Sequence, residues 1–385
     1  MSRWGLMGGG LLLVALAVWL MGRGDEVVAG PVEAVQPVAL ATPTAASSVS
    51  PAKGLRVAAS GAEAERQALW AQRLARSQAA LATYRETTRY PHSSRPAAEQ
   101  PDQMHPNRPI VQQQPLRLPG GGDGAGLVLR SVQQRVFVQG DEDVTFTLAV
   151  VGADGQPRPL VITQALAHVE PAMPGTMQVA LAAVADAAGH TQTLRLHPAS
   201  QGFAGQEPMG IRVEVGLQSE GQAGYTYFDI VYSPLSPATW AGPVRDRLVA
   251  GSLRFELPVQ VNQAGRYVAT GRVDDAQGKP FALLTFNDML PAGRQVIGLT
   301  LFGKLVRDTQ PALPLRLRDV DAFLLHENRS PDRVLLPRLA GPVHASGSYP
   351  LSAFADTEWA SEERSRYLAE LTRDVEEAQR QLGHP

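Results

Sequence analysis

Cysteine is absent from all 385 residues. That excludes disulfides, thiol nucleophiles, thiolate-held metals and acylation of an N-terminal cysteine in one stroke. Lysine is nearly absent, with Lys53, Lys279 and Lys304 the only ones among 35 basic residues. Charge imbalance is also missing: the formal net charge is −2, so no field recruits nucleic acid or acidic lipid. The chain carries no G-x-S-x-G nucleophile elbow and no G-x-x-x-x-G-K-[ST] phosphate loop. There is no H-E-x-x-H either, since His326-Glu327 is followed by Asn328-Arg329-Ser330. Serine hydrolases of the usual kind, P-loop nucleotide hydrolases and zincins are thereby set aside.

What the sequence does have is one apolar run, Trp4–Met21, 18 residues without a charge. At helical rise it spans about 27 Å, close to the thickness of a hydrocarbon core. Arg3 precedes it, and a mixed flank of Arg23, Asp25 and Glu26 follows. The spacing predicts a single transmembrane signal anchor over residues 1–23, N-terminus in the cytoplasm and the bulk of the chain periplasmic or extracellular. A cleaved signal peptide is the competing reading, with small residues available at Val27-Val28-Ala29. Abundant Ala, Gly, Pro and Val with arginine in place of lysine reads as a GC-rich bacterial genome.

Residues 24–59 are Ala, Val, Pro, Ser and Thr without periodicity, the composition of a disordered spacer. Ser60-Gly61-Ala62-Glu63 has the form of a capping box, and an amphipathic helix is expected over 60–87, with Trp70, Leu74 and Leu81 on one stripe. That stripe is expected to dock on the following domain. Residues 88–126 form a Pro-rich strap ending in a glycine hinge, expected to lie along the first β domain.

Alternation then sets in. Val144, Phe146, Leu148 and Val150 mark a half-buried strand, Asp154-Gly155 turns the chain, and Leu160–Val169 returns it. Further strands over Met177–Ala183, Thr191–Leu196, Ile211–Leu217 and Tyr225–Tyr232 fit an immunoglobulin-like sandwich over 127–235. A Pro-rich joint leads into a second sandwich over 236–330, with strands around Leu253–Val261, Arg266–Val273, Phe281–Phe286, Val296–Phe302 and Leu315–Leu325. Residues 331–385 hold a Pro-rich wrap (Pro331–Pro350) and a helix from about Asp356 to Leu382. Its stripe of Leu368, Leu371, Val375, Ala378 and Leu382 is expected to pack on a β domain rather than on another helix. The fold class is therefore mainly β: two tandem immunoglobulin-like β-sandwich domains, preceded by one transmembrane helix and an amphipathic helix, with a C-terminal helix.

The stretches QVNQAGRYVATGRVDDAQGKPFA, LPAGRQVIGLTLFGKLVRD and LRLRDVDAFLLHE share a pattern of turn glycines and strand apolars. Over Val259–Glu327 the chain resembles the choice-of-anchor X family of exported bacterial proteins, and the TRYP…SRP…PDQ…PN strap is similar to a feature of its longer members. The resemblance implies a β-sandwich fold and no established function.

Candidate chemistry is sparse. His344-Ala345-Ser346-Gly347-Ser348 carries a histidine and two serines but reads as a flexible surface loop. His92 and His105 share the strap without a carboxylate at ligand spacing. Asp141-Glu142-Asp143 and the pair Asp319 and Asp321 are the carboxylate groups that would suit Ca²⁺, and surface solubility explains them as well. Arg23-Gly24-Asp25, against the expected bilayer, is coincidence. Alternation sends Tyr225 and Tyr227 to one face of their strand and Phe228 and Tyr232 to the other. Tyr225, Tyr227 and Trp240 are the candidate ligand-facing aromatics. The expectation is a non-enzymatic envelope protein with no cofactor and no nucleic-acid partner, joined to the membrane by its N-terminal helix and presenting a surface to another envelope protein. A carbohydrate- or peptidoglycan-binding module is the alternative, and an unrecognised hydrolase the remote one.

Overall fold

The computed structural model describes residues 51–118 and 122–383. The anchor Trp4–Met21 and the spacer up to residue 50 lie outside the described residues. Among those described, no helix is long and apolar enough to cross a membrane.

The chain opens with α1 (Pro51–Thr87), β1 (Ser94–Pro96) and two 3-10 turns at Ala97–Glu99 and Pro101–Met104. Next come β2 (Ile110–Arg117), β3 (Asp123–Gln133), β4 (Phe137–Gln139), β5 (Val144–Val151), β6 (Pro157–Arg158) and β7 (Val161–Glu170). They lead to β8 (Gln178–Ala180), β9 (Ala183–Ala185), β10 (Thr191–Leu196), β11 (Met209–Ser219) and β12 (Gln222–Ser233). The second half holds β13 (Ala238–Trp240), β14 (Arg245–Val249), β15 (Ser252–Val261), β16 (Gly265–Asp274), β17 (Pro280–Leu290) and β18 (Gly293–Leu301). A short helix α2 (Gly303–Thr309) precedes β19 (Arg316–Leu325), β20 (Arg333–Leu335), β21 (Leu339–Ala345) and the last helix α3 (Glu362–Gly383).

Four sheets enclose two cores. The sheet β2-β3-β5-β10-β9, with β6 on β5, faces the sheet β4-β12-β11-β7-β8. Strict alternation of burial along β5 aims Val144, Phe146, Leu148 and Val150 inward. They meet Val213, Val215, Phe228 and Ile230 of the opposite sheet, and the Phe146 and Phe228 rings lie 4.7 Å apart. The second core lies between β13-β15-β14, with β18 on β15, and β1-β17-β16-β19-β20, with β21 on β19. Each fully buried Leu, Val or Phe is worth about 1.5–3 kcal/mol, and no disulfide adds to this.

The motif residues are turn-makers. Gly265 follows the corner where the chain leaves the β15 sheet for the β16 sheet. The buried Tyr267 donates back across that corner to Gln263 O at 2.6 Å, and burial pushes its hydroxyl up to about 12. Asp275 Oδ1 accepts from the backbone N–H of Gln277 and of Lys279, each at 2.9 Å. Gly278 takes the left-handed φ of +81° that this turn needs.

Several expectations are corrected. Helix α1 begins at Pro51, inside the expected spacer, so Ser60 is interior rather than a cap; proline is at home in a helix's first turn, and mostly good helix formers follow it. Strand β7 does not return beside β5: after β6 the chain crosses to the facing sheet, where β7 pairs with β11 and β8. The strap does not run along the first β unit throughout. Strand β1 pairs with β17 of the second unit, and Ala97 and Met104 pack on Leu283 there. Only β2 joins the first unit, on the outer edge where Pro115 costs no ladder bond. The expected Pro-rich wrap supplies β20 and β21, both paired with β19.

The two long helices contact each other. Arg364 Nε donates to Thr88 Oγ1 at 3.0 Å, the Tyr84 and Tyr367 rings lie 5.9 Å apart, and the Glu377 carboxyl, lowered chiefly by its bond from Arg380, also feels the charge of Arg73. The order is antiparallel. Residues 70, 74, 77, 81 and 84 of α1 and 364, 368, 371, 375, 378 and 382 of α3, with 372 beside them, are the more buried ones. These are two matching four–three stripes. The helix-on-helix arrangement replaces the expected docking of either stripe on a β domain.

Candidate functional site

The turn between β11 and β12 is the two residues Glu220-Gly221, both with positive φ (49° and 79°), which suits the tight hairpin of right-twisted strands. It fixes the register Gly216↔Tyr225, Glu214↔Tyr227 and Arg212↔Asp229. Even-numbered residues of β12 point into the core, where Phe228 and Tyr232 are buried. Odd-numbered residues point out. Tyr225 and Tyr227, 37% and 48% exposed, stand together on the outer face with rings 6.4 Å apart, as the alternation predicts.

Charges flank them. Arg212 makes a paired contact to Asp229 (2.8 and 3.0 Å), lies 3.4 Å from Glu170, and stacks 4.5 Å from the Tyr227 ring centroid. The bonds to Asp229 chiefly raise its already high pKa. Desolvation first, and then Glu214, raise the Tyr225 hydroxyl. His168, directly across from Arg212, is buried between Glu170 (3.9 Å) and Glu214 (3.6 Å). Gly216 leaves bare backbone beside Tyr225. The result is a face with two open tyrosines, one guanidinium and three carboxylates. Tyrosine and arginine are the residue types that carry binding energy at protein interfaces.

Trp240 does not join this face. It is half-buried against the second core, and its indole donates to Pro337 O at 2.6 Å. A donor satisfied by a Pro-rich segment 97 residues away leaves no sequence signal.

The other candidates are structural. Asp321 accepts from Arg272 (2.6 Å) and Arg338 (3.2 Å). Asp319 accepts from Arg318, Asn107 and the Gly341 backbone N–H. Arg272 and Arg318 also donate to the carbonyls of Gln103 (2.8 Å) and Met104 (3.0 Å), so this network clamps the strap to the sheet. Asp141, Glu142 and Asp143 face His197, Arg135 and Arg195 respectively. Glu142 and Asp143 therefore already have arginine partners, and Asp141 has an imidazole beside it. His92 sits 6.2 Å from the Trp359 ring, and His105 lines a shallow cavity of about 310 Å³ with Asn107 and Asp319. Among the described residues no cluster of three or more His, Asp or Glu is disposed to hold a metal.

The segment around His344 is anchored rather than a free loop. Asp246 accepts from His344 Nε2 (2.6 Å), the Tyr349 hydroxyl (2.8 Å) and the Gly347 N–H (3.0 Å). Burial works against the Asp246 charge, but these bonds together outweigh it and hold the carboxyl below its ordinary range. Ser346 is buried and accepts from the Leu315 N–H, a supporting role.

No family model matches the chain, and no curated protein matches it. Solved structures share its β-rich character. A DUF4785 family protein from Legionella pneumophila is 15% identical, with 57% of each chain covered and a TM-score of 0.39. The chain thus spans 57% of that protein's length. Dimeric latent PorU from Porphyromonas gingivalis is 10% identical over 64% of this chain and 20% of that one, with a TM-score of 0.20. Trypsin-activated alpha-2-macroglobulin from Escherichia coli is 11% identical over 65% and 22%, with a TM-score of 0.21.

Proposed function

We propose that this chain is a non-enzymatic interaction module of a bacterial envelope, held at the membrane by Trp4–Met21, and that it binds a protein partner through the outer face of the β4-β12-β11-β7-β8 sheet. The carrying observation is the pair Tyr225 and Tyr227, open to solvent beside Arg212 and its carboxylates. Large amphipathic rings on a rigid sheet lose little entropy on binding and bury much area. In this reading the two β units are immunoglobulin-like, the second a choice-of-anchor X type domain, and both serve as a scaffold for that face.

In-cell photocrosslinking tests it. A photoreactive residue at position 225 or 227 is expected to trap a discrete envelope protein that one at the more exposed Val184 of β9 does not. Indistinguishable adducts from both faces would remove the proposal. The two rings beside the bare Gly216 backbone also favour a glycan reading, in which sugars stack on Tyr225. Retention on isolated sacculi that is lost in Tyr225→Ala would select that reading over a protein partner.

A further inference from the structure

Hydrogen-bond parity along β12 exposes a second property of the same segment. In a two-residue hairpin the closing pair, Ser219 and Gln222, exchanges both backbone bonds. Gln222 and the even-numbered residues after it therefore spend their N–H and C=O groups on β11. The odd-numbered residues turn theirs the other way, toward the open side. The far end of the strand agrees: Asp229 O accepts from the Gln133 carboxamide at 2.9 Å, and Val231 N–H donates to Val136 O at 2.9 Å. Strand β4 then pairs in parallel with Val231, Tyr232 and Ser233.

Between the hairpin and Asp229, the edgeward N–H and C=O groups of Ala223, Tyr225 and Tyr227 have no partner among the described residues. The run from Ala223 to Tyr227 is about 17 Å long at 3.4 Å per residue. Its inner side is sealed: Leu116 packs on Gly224, and Gln114 Nε2 lies 3.5 Å from Thr226 Oγ1. Natural sheets usually protect such an edge with proline, charge or brevity. Here β1, β8, β9 and β20 are three residues each, and β2 carries Pro115. The edgeward residues of β12 are Ala, Tyr and Tyr.

We propose that this edge accepts an extended, basic segment of the partner protein as an added strand, a proposal that rests on the reading of the tyrosine face as the binding surface. Backbone pairing would supply affinity, and alternate side chains of the incoming strand would lie beside Tyr225, Tyr227 and Asp229. The charge preference follows from the count on that face. Glu170, Glu214 and Asp229 stand against Arg212 alone, which Asp229 and Glu170 already hold. A lysine or arginine on the added strand would lie over an open ring, beside Asp229 of β12 and reaching toward Glu214 one strand further in.

The probe is a synthetic ten-residue peptide of alternating lysine and valine, titrated into the full chain, with a glutamate–valine peptide for comparison. The variant Ala223→Pro removes one edgeward N–H, keeps both tyrosines and costs no bond to β11. The lysine peptide is expected to bind, to bind about tenfold more weakly to Ala223→Pro, and to outbind the glutamate peptide. Methylating alternate peptide amides is expected to give the same loss, and this arm decides the matter if Ala223→Pro fails to fold. Undiminished binding by both the variant and the methylated peptide overturns strand addition. So does the absence of lysine-peptide binding, or parity with the glutamate peptide. Crosslinks confined to positions 225 and 227 would leave the binding face standing even then.

Discussion

Gly224 sits under the proposed docking edge, and its missing side chain makes a sharp test of how that edge is supported. A Cβ at this position would lie 2.5 Å from Leu116 Cδ1, 2.9 Å from Leu217 Cδ1 and 3.0 Å from Leu116 Cγ. Its backbone is not among those with positive φ, so alanine meets no conformational barrier. Gly224→Ala therefore pits overpacking, about 1–3 kcal/mol, against about 0.4–1 kcal/mol gained from a less disordered unfolded chain. The net is destabilisation of about 1 kcal/mol or more. Leu116 is fully buried, and Leu116→Ala should cost about 2–5 kcal/mol. In that second background two of the three close contacts vanish and the new methyl enters a hole. Gly224→Ala should then stabilise, by about 0.5–1 kcal/mol, and the double-mutant cycle should show coupling above about 1 kcal/mol. Urea denaturation followed by far-UV circular dichroism, which reads the sheet itself, measures all four proteins. An unchanged sign in the two backgrounds would refute the packing account of this edge.

Three further outcomes are expected. Asp246→Asn should lower stability by about 1–3 kcal/mol at neutral pH through weakened bonds to His344, Gly347 and Tyr349. Because the folded state depresses this carboxyl, its contribution is present above the unfolded value near about 4 and fades as pH falls through the folded one. Denaturation midpoints of the two proteins should thus converge in acid, and a constant gap would contradict the assignment. Gly303→Ala should cost more than about 3 kcal/mol or prevent folding, since its Cβ would lie 2.0 Å from Gly251 O and 2.8 Å from the Ala355 nitrogen. Gly298→Ala, whose three nearest neighbours all belong to the flexible Arg254 guanidinium, should cost less than about 1 kcal/mol; equal thermal midpoints for the two would count against the argument. Ala378→Arg, at a buried position of α3, should free that helix from α1 and speed tryptic cleavage near Arg364 and Arg366 at least severalfold. Unchanged digestion would show that the helices do not depend on that contact.

Period-two alternation made the strands legible, because burial on one face writes itself into Val144, Phe146, Leu148 and Val150. The outward pairing of Tyr225 with Tyr227 followed from the same rule. What alternation cannot say is which sheet a strand enters. Val161–Glu170 reads the same whether it returns beside β5 or crosses to β11, and the two-residue strand β6 that settles the matter has no period at all. Strand β14, Arg245–Val249, carries two arginines and an aspartate, which hide its alternation, and the aspartate's partner His344 lies 98 residues on. The helix stripes were visible, but an apolar seam does not name its partner. The strap's place is fixed by Arg272 and Arg318 gripping main-chain carbonyls, and a carbonyl is the same in every residue. The Asp246 anchor was hidden likewise, its acceptor lying nearly a hundred residues before the histidine.

The pairing of β1 with β17 has a consequence for biosynthesis. The first β unit is contiguous and lies, in the order of translation, between a strand of the second unit and all the rest of it. It can close its core as soon as Ser233 has been made, while Ser94–Pro96 waits for a partner nearly two hundred residues downstream. The second unit is completed later still, since Phe354 belongs to its core and the Ala355 N–H donates to Gly251 O at 2.9 Å. A fragment cut in the joint between the units would therefore separate a self-sufficient half from one missing its edge strand. For the ribosome, the chain is a nested object whose inner part ripens first and whose outer part is sealed only when Phe354 and Ala355 have followed.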